Sequence, residues 1–150
     1  MTNGFTILEV LIVIGIMLVV GGAILPISGN FAVSSQLDDS LISVSNTVRT
    51  ARERSLSGLN NSAHGVYFEE NINLQDRIIL YQGASYASRD QLYDQIRTFD
   101  DSMDMESSIS GNDLNFSKGL GVPNSTGTIT ITHDVNGARN VTINRFGVVE

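Results

Sequence analysis

Cysteine is absent from this 150-residue chain, which excludes disulfide frameworks, thiolate metal sites and thiol nucleophiles together. Lysine is almost absent, with Lys118 the only one. Lys and Arg together number 9 against 16 Asp and Glu, and the formal net charge is -7. Affinity for nucleic acid comes largely from Lys and Arg neutralising phosphates, so this balance argues against nucleic acid as a main partner. Also missing are a G-x-G-x-x-G or Walker loop, an H-E-x-x-H pair and a G-x-S-x-G elbow. His64 and His133 are the only histidines, and they read as a turn residue and a strand-face residue. Asp100, Asp101, Asp104 and Glu106 lack the D-x-D-x-D-G spacing of a calcium loop and read as a solvated acidic loop. No catalytic residue, metal or cofactor is expected, and the chain does not read as an enzyme.

What is present is unevenly placed. The hydrophobic share is 41%, and much of it lies between Phe5 and Ile27. Every residue from Val10 to Leu25 is apolar or Gly. With Phe5, Ile7 and Leu8 the run reaches about twenty residues, or roughly 30 Å of helix, the thickness of a bilayer core. Glu9 interrupts it. An acidic group costs about 2.5–3.5 kcal/mol at the centre of a membrane helix and less near its end, so such a residue asks for a functional partner.

Three readings compete for this segment. A secretory signal peptide has a basic start and a small-residue cleavage site after its apolar stretch. Here the first basic residue is Arg49, and 24–27 offers no A-x-A site. A plain membrane anchor accounts for the hydrophobicity and leaves Glu9 unexplained. The third reading is a resemblance. Gly4-Phe5-Thr6-Ile7-Leu8-Glu9-Val10-Leu11-Ile12-Val13 closely resembles the N-terminal signature of type IV prepilins and type II secretion pseudopilins.

That resemblance implies a leader (1–4) removed by prepilin peptidase between Gly4 and Phe5, and N-methylation of the new amino terminus at Phe5. It makes Glu9 the fifth mature residue, where the family keeps its Glu, and matches Pro26 to a recurrent proline that kinks the helix. It implies a single-pass inner-membrane protein with its C-terminal domain outside the cytoplasm, later built into an extracytoplasmic filament. The implied partners are other pilin or pseudopilin subunits, the peptidase, the inner-membrane assembly platform and membrane lipid. Glu9 of one subunit can pair with the free Phe5 amine of a neighbour, and truncating one partner of such a buried pair typically costs about 3–5 kcal/mol. One departure is that Met1-Thr2-Asn3-Gly4 carries no Lys or Arg, which family leaders commonly have.

Beyond a transmembrane or filament-core segment (5–27), residues 28–58 read as an amphipathic continuation. Leu37, Leu41, Val44, Val48 and Ala51 recur at steps of four and three, one helical face. Asp38, Asp39, Ser43, Asn46, Arg49 and Glu53 fall mostly off it. Gly58 is a stop signal, followed by turn-prone Asn60-Asn61-Ser62. The expectation is one helix from about Phe5 to Ser57, loosened near Pro26 and Gly29-Asn30. Arg49, Arg52 and Arg54 read as a solvated or subunit-contact face rather than an anion site.

The remainder (59–150) reads as a globular β-rich domain. Strand character marks 65–68, 77–81, 128–132 and 140–144, with a brief strand near 114–116. Asn136-Gly137 between the last two long runs signals a hairpin turn. The stretch 84–110 reads as an irregular, exposed excursion with a short helix near 91–96. The expected class is therefore α+β: a long N-terminal helix, membrane-spanning in its first half, packed on a mainly antiparallel sheet like a pilin lollipop.

The closing hairpin, running from Gly127 through Arg139 and Arg145 to Gly147, looks like that of GspH/FimT-like minor pilins. The resemblance covers the first 30 residues well and the last 35 moderately. Some minor pilins of that branch bind DNA through basic residues near the C-terminus, and Arg139 and Arg145 alone give thin support for that here. The resulting expectation is a structural subunit, a minor one, of a type IV pilus or secretion pseudopilus. The alternatives are a DNA-uptake or adhesive minor pilin and a plain membrane-anchored domain.

Overall fold

The computed structural model describes residues 4–71, 75–133 and 137–150, and the side chains of all of these except 22–33. Helix α1 (Ile7–Ser57) comes first. Seven strands follow: β1 (His64–Glu69), β2 (Arg77–Gln82), β3 (Asp90–Thr98), β4 (Met103–Ser107), β5 (Asp113–Phe116), β6 (Gly127–His133) and β7 (Gly137–Ile143). They form two sheets, in the orders β3-β2-β1-β5 and β4-β6-β7, with every pairing antiparallel.

The expected architecture is corrected on two counts. First, the strands make two sheets rather than one. Second, the described side chains of the helical region fall into two shorter stretches, 7–21 and 34–57, and among the described residues no helix is long and apolar enough to cross a membrane. Within the described side chains, the apolar-rich stretch 7–21 rises about 22 Å at 1.5 Å per residue, against a bilayer core of roughly 30 Å. The membrane-spanning first half and the single-pass inner-membrane placement are withdrawn with it. Pro26, the expected kink, and Gly29-Asn30 lie outside the residues whose side chains are described, as do the leader residues 1–3 and the turn residues 134–136.

Along 34–57 the apolar stripe finds its partners. Leu37, Val44, Val48 and Ala51 are fully buried, and Leu41 is half-buried against the same core. Asp38, Asp39, Asn46, Arg49 and Glu53 are exposed. The helix touches β1, β2 and β5 of the first sheet and β6 and β7 of the second. Val66, Phe68, Ile78, Leu80, Leu114 and Phe116 meet it from one sheet, Ile129, Ile131, Val141 and Ile143 from the other, all in one cluster. Gly58 ends the helix in the left-handed conformation (φ 64°), its N–H bonded to the carbonyls of Arg54 and Ser55.

Residues 84–110 overturn the expected excursion. Instead of a short helix at 91–96 they supply two strands, β3 and β4. The turn before β3 is held by aromatic contacts. The Tyr67 and Tyr86 rings stack with centroids 3.7 Å apart, and the Arg89 guanidinium lies 3.7 Å from the Tyr86 centroid while pairing with Asp94 at 2.8 Å. Below them Tyr81 is buried, its hydroxyl bonded to Asp113 and accepting from Asn115 Nδ2 at 2.9 Å. Gly65 makes room for that phenol, since a Cβ there would sit 2.3 Å from the Tyr81 oxygen.

One buried carboxylate joins the two sheets. Asp76, just before β2, accepts from the Asn71 N–H at 2.7 Å through Oδ1 and from the Met105 N–H of β4 at 2.6 Å through Oδ2. Its carbonyl accepts from the Phe99 N–H at 2.9 Å. Charge-assisted bonds of this kind are worth about 1.5–3 kcal/mol each, and an orphaned buried N–H adds to the loss. Asp76→Ala is therefore expected to destabilise the domain by roughly 2–4 kcal/mol, and Asp76→Asn by less. Urea unfolding midpoints check this, and a variant within about 0.5 kcal/mol of wild type would contradict the bridging role.

Candidate assembly surface

The first turn of α1 is built by Thr6 and Glu9. Thr6 is the N-cap (φ -79°, ψ 151°), and its Oγ1 accepts from the Glu9 N–H at 3.3 Å. Its carbonyl accepts from the N–H groups of Glu9 at 3.1 Å and Val10 at 3.3 Å. Thr-x-x-Glu is the sequence form of a capping box, and a carboxylate in the first turn also meets the positive end of the helix dipole. Glu9 thus has a local role that the sequence reading missed, worth about 0.3–1 kcal/mol at an exposed helix end.

Gly4 and Phe5 precede the helix, and both are exposed. The Gly4–Phe5 peptide, the expected cleavage point, is in non-helical chain with no atom within 4 Å of where a Gly4 Cβ would stand. From Ile7 to Val20 the apolar side chains are exposed on every side of the helix, including Leu8, Leu11, Ile14, Met17 and Leu18. Glu9 is the one charged residue among them, and it too is exposed. Burying one such Leu, Ile or Val is worth about 1.5–3 kcal/mol. A helix apolar all round requires cover all round.

The basic residues singled out from the sequence stand elsewhere. Arg139 Nε pairs with Asp38 Oδ1 at 3.2 Å, tying β7 to α1 at the surface, and the Arg145 guanidinium lies 4.8 Å from the Phe146 ring centroid. The first is engaged within the chain and the second packs on its neighbour. On the helix, Arg52 Nε donates to the Gly121 carbonyl at 3.3 Å and Arg54 meets the Gln95 amide, while Arg49 is exposed. In the acidic loop Asp100 accepts from Ser102 N–H and Oγ, and these bonds hold its carboxyl below the usual range.

One histidine was expected in a turn and one on a strand; both lie in strands, His64 in β1 and His133 in β6, and both are buried. His64 opens β1, where its N–H donates to Ser55 Oγ at 2.8 Å and its carbonyl accepts from the same hydroxyl at 3.2 Å. This exchange docks the end of α1 on the first sheet. Burial, aided by nearby Arg54, pushes the imidazole below its ordinary value of 6.5. No protein-family model matches the chain, no curated protein matches its sequence, and no solved structure matches its fold.

A histidine held below its ordinary value takes a proton more readily in the unfolded chain. Its contribution to stability is therefore complete above pH ~6.5 and is lost as pH falls below that value. His64→Gln is expected to flatten the fall in stability below pH ~6.5 relative to wild type, measured by urea unfolding at several pH values. Parallel pH profiles for the two proteins would contradict this.

Proposed function

We propose that the chain is a structural subunit of a prepilin-type filament, a minor subunit of a pilus or secretion pseudopilus, matured by cleavage between Gly4 and Phe5. The observation that carries the reading is the exposed, all-round apolar helix of 7–21 with a single carboxylate near its start. Copies of the same segment supply the cover it needs, bundled in a filament core.

Two further features support the reading. The Gly4–Phe5 peptide is open to a peptidase. Glu9 sits four residues from the Phe5 amine that cleavage would create, and pairing that amine with the Glu9 carboxylate of a neighbour offsets the desolvation of both charges. It also fixes the stagger between copies. The engaged Arg139 gives no support to DNA capture, so that alternative is not carried forward.

The local and the intersubunit roles of Glu9 differ in magnitude, which makes them separable. Glutamine at this position retains the capping-box geometry and removes the charge. Glu9→Gln is expected to leave folding stability within about 1 kcal/mol of wild type and to lower incorporation into filaments at least about tenfold. Glu9→Ala is expected to do the same. Quantifying each variant in the sheared filament fraction of its native host, beside the cell-retained pool, checks this. Incorporation equal to wild type would overturn the assembly role.

A further inference from the structure

The turn after β7 is built around one amide. Asn144 Oδ1 accepts from the Phe146 N–H at 2.9 Å and the Val148 N–H at 3.1 Å, while Nδ2 donates to Glu150 Oε1 at 2.6 Å. The Asn144 carbonyl accepts from the Gly147 N–H at 2.9 Å, and its N–H donates to the Val148 carbonyl at 3.0 Å. Gly147 closes the turn in the left-handed region (φ 70°), where a Cβ would stand 2.8 Å from the Phe116 ring.

What this frame presents is unpartnered. Arg145 and Phe146 are both exposed, Phe146 by 59%. The guanidinium lies over the Phe146 ring, 4.8 Å from its centroid, and pairs with no carboxylate among the described residues. Glu150 shares the turn, but its carboxylate is held by the Asn144 amide. A guanidinium stacked on an aromatic face keeps its in-plane N–H donors free for a planar anion.

Beside the turn, the outer face of the second sheet is rich in hydroxyls. An open cleft of about 500 Å³ lies there, lined by Thr126, Thr128, Thr142, Asn144, Arg145 and Phe146. Small-molecule clefts commonly measure about 300–1,000 Å³. Thr128 and Thr142 are cross-strand partners whose hydroxyls meet at 3.1 Å. Two residues along, on the same face, Thr130 pairs with Asn140, and a second hollow of about 190 Å³ opens beside them. The intervening Ile129, Val141 and Ile143 point into the core, which makes this floor rigid.

We propose that this cleft binds a saccharide bearing one carboxylate, a uronic or sialic acid residue of a glycan. The Arg145 guanidinium takes the carboxylate through two parallel hydrogen bonds, and the C–H face of the sugar packs on Phe146. Sugar hydroxyls exchange bonds with Thr128, Thr142 and Asn140, whose side chains both donate and accept. Glu106, the cross-strand partner of Thr130, sets the direction, because its charge keeps a carboxylate away from that end. Other ligands fit less well. One cation does not neutralise a run of phosphates, and the net charge of -7 opposes nucleic acid. A neutral sugar leaves Arg145 unused. The site belongs to the globular domain and does not rest on the filament reading.

The test titrates the full chain, held in a detergent without a sugar headgroup, and follows binding by saturation-transfer NMR. The probes are galacturonate, N-acetylneuraminate, neutral galactose and a single-stranded thymidine oligonucleotide. At least one acidic sugar is expected to bind at least about tenfold more tightly than galactose. Arg145→Gln is expected to abolish that preference, and Phe146→Ala to weaken the acidic sugar at least about tenfold. Both replace exposed residues, and unchanged urea midpoints verify the fold. Arg97→Gln, at an exposed arginine of β3, is expected to leave binding unchanged. Absence of binding by both acidic sugars at about 10 mM would overturn the proposal. So would binding that survives Arg145→Gln, or an oligonucleotide held through Arg145 more tightly than either sugar. None of these readouts depends on assembly, so failure here leaves the filament reading standing.

Discussion

Both sheets of this protein close on one surface, the inward stripe of α1 from Leu37 to Ala51. Neither sheet buries its inner face without that helix, because the inward residues of both join its stripe in one core. The positions that serve it tolerate little change. Ala51 admits close approach, Ser55 exchanges two bonds with the His64 backbone, and Gly58 stops the helix where β1 must begin. Asp76 then fixes the second sheet to the first. The fold is a helix-organised pair of sheets whose relation is set by one apolar stripe and one carboxylate.

The same helix has a second, opposite character. From 34 to 57 it is amphipathic and partnered within the chain; from 7 to 21 it is apolar all round and exposed. The first part is a folding device, and the second contributes nothing to this core. An exposed surface of that kind must be covered, and each residue covered is worth about 1.5–3 kcal/mol. The structure does not support a membrane span as the cover, since no helix among the described residues is long and apolar enough. Covering by further copies is the filament reading, with Glu9 as the single charge that sets how they align.

The helix stripe, the Gly58 stop and five of the strands were legible in the sequence, because each carries a strong local signal. Steps of three and four mark Leu37 to Ala51, and alternation marks Ile129-Thr130-Ile131 and Val141-Thr142-Ile143. Strand β3 was not legible. It is an edge strand whose Gln91, Gln95 and Arg97 face solvent, and a bulge breaks its alternation, so its pattern resembles an amphipathic turn of helix. Strand β4 hides for a similar reason, with Met103 and Met105 inward and Asp104 and Glu106 outward in what reads as an acidic loop. The role of Asp76 and the burial of His64 and His133 depend on tertiary contacts that no local pattern encodes. Of the candidate site, the Gly4-Phe5 and Glu9 signature was visible at once, and the Thr6 cap that explains Glu9 locally was present in the same motif as Thr-x-x-Glu.

The most direct measurement is the intact mass and amino-terminal sequence of the protein isolated from its native host. A chain beginning at N-methylated Phe5 is what the account predicts, because only that cleavage frees the amine that Glu9 of a neighbour would meet. A chain that retains Met1 through Gly4 would contradict the account and leave the exposed apolar helix in need of another partner.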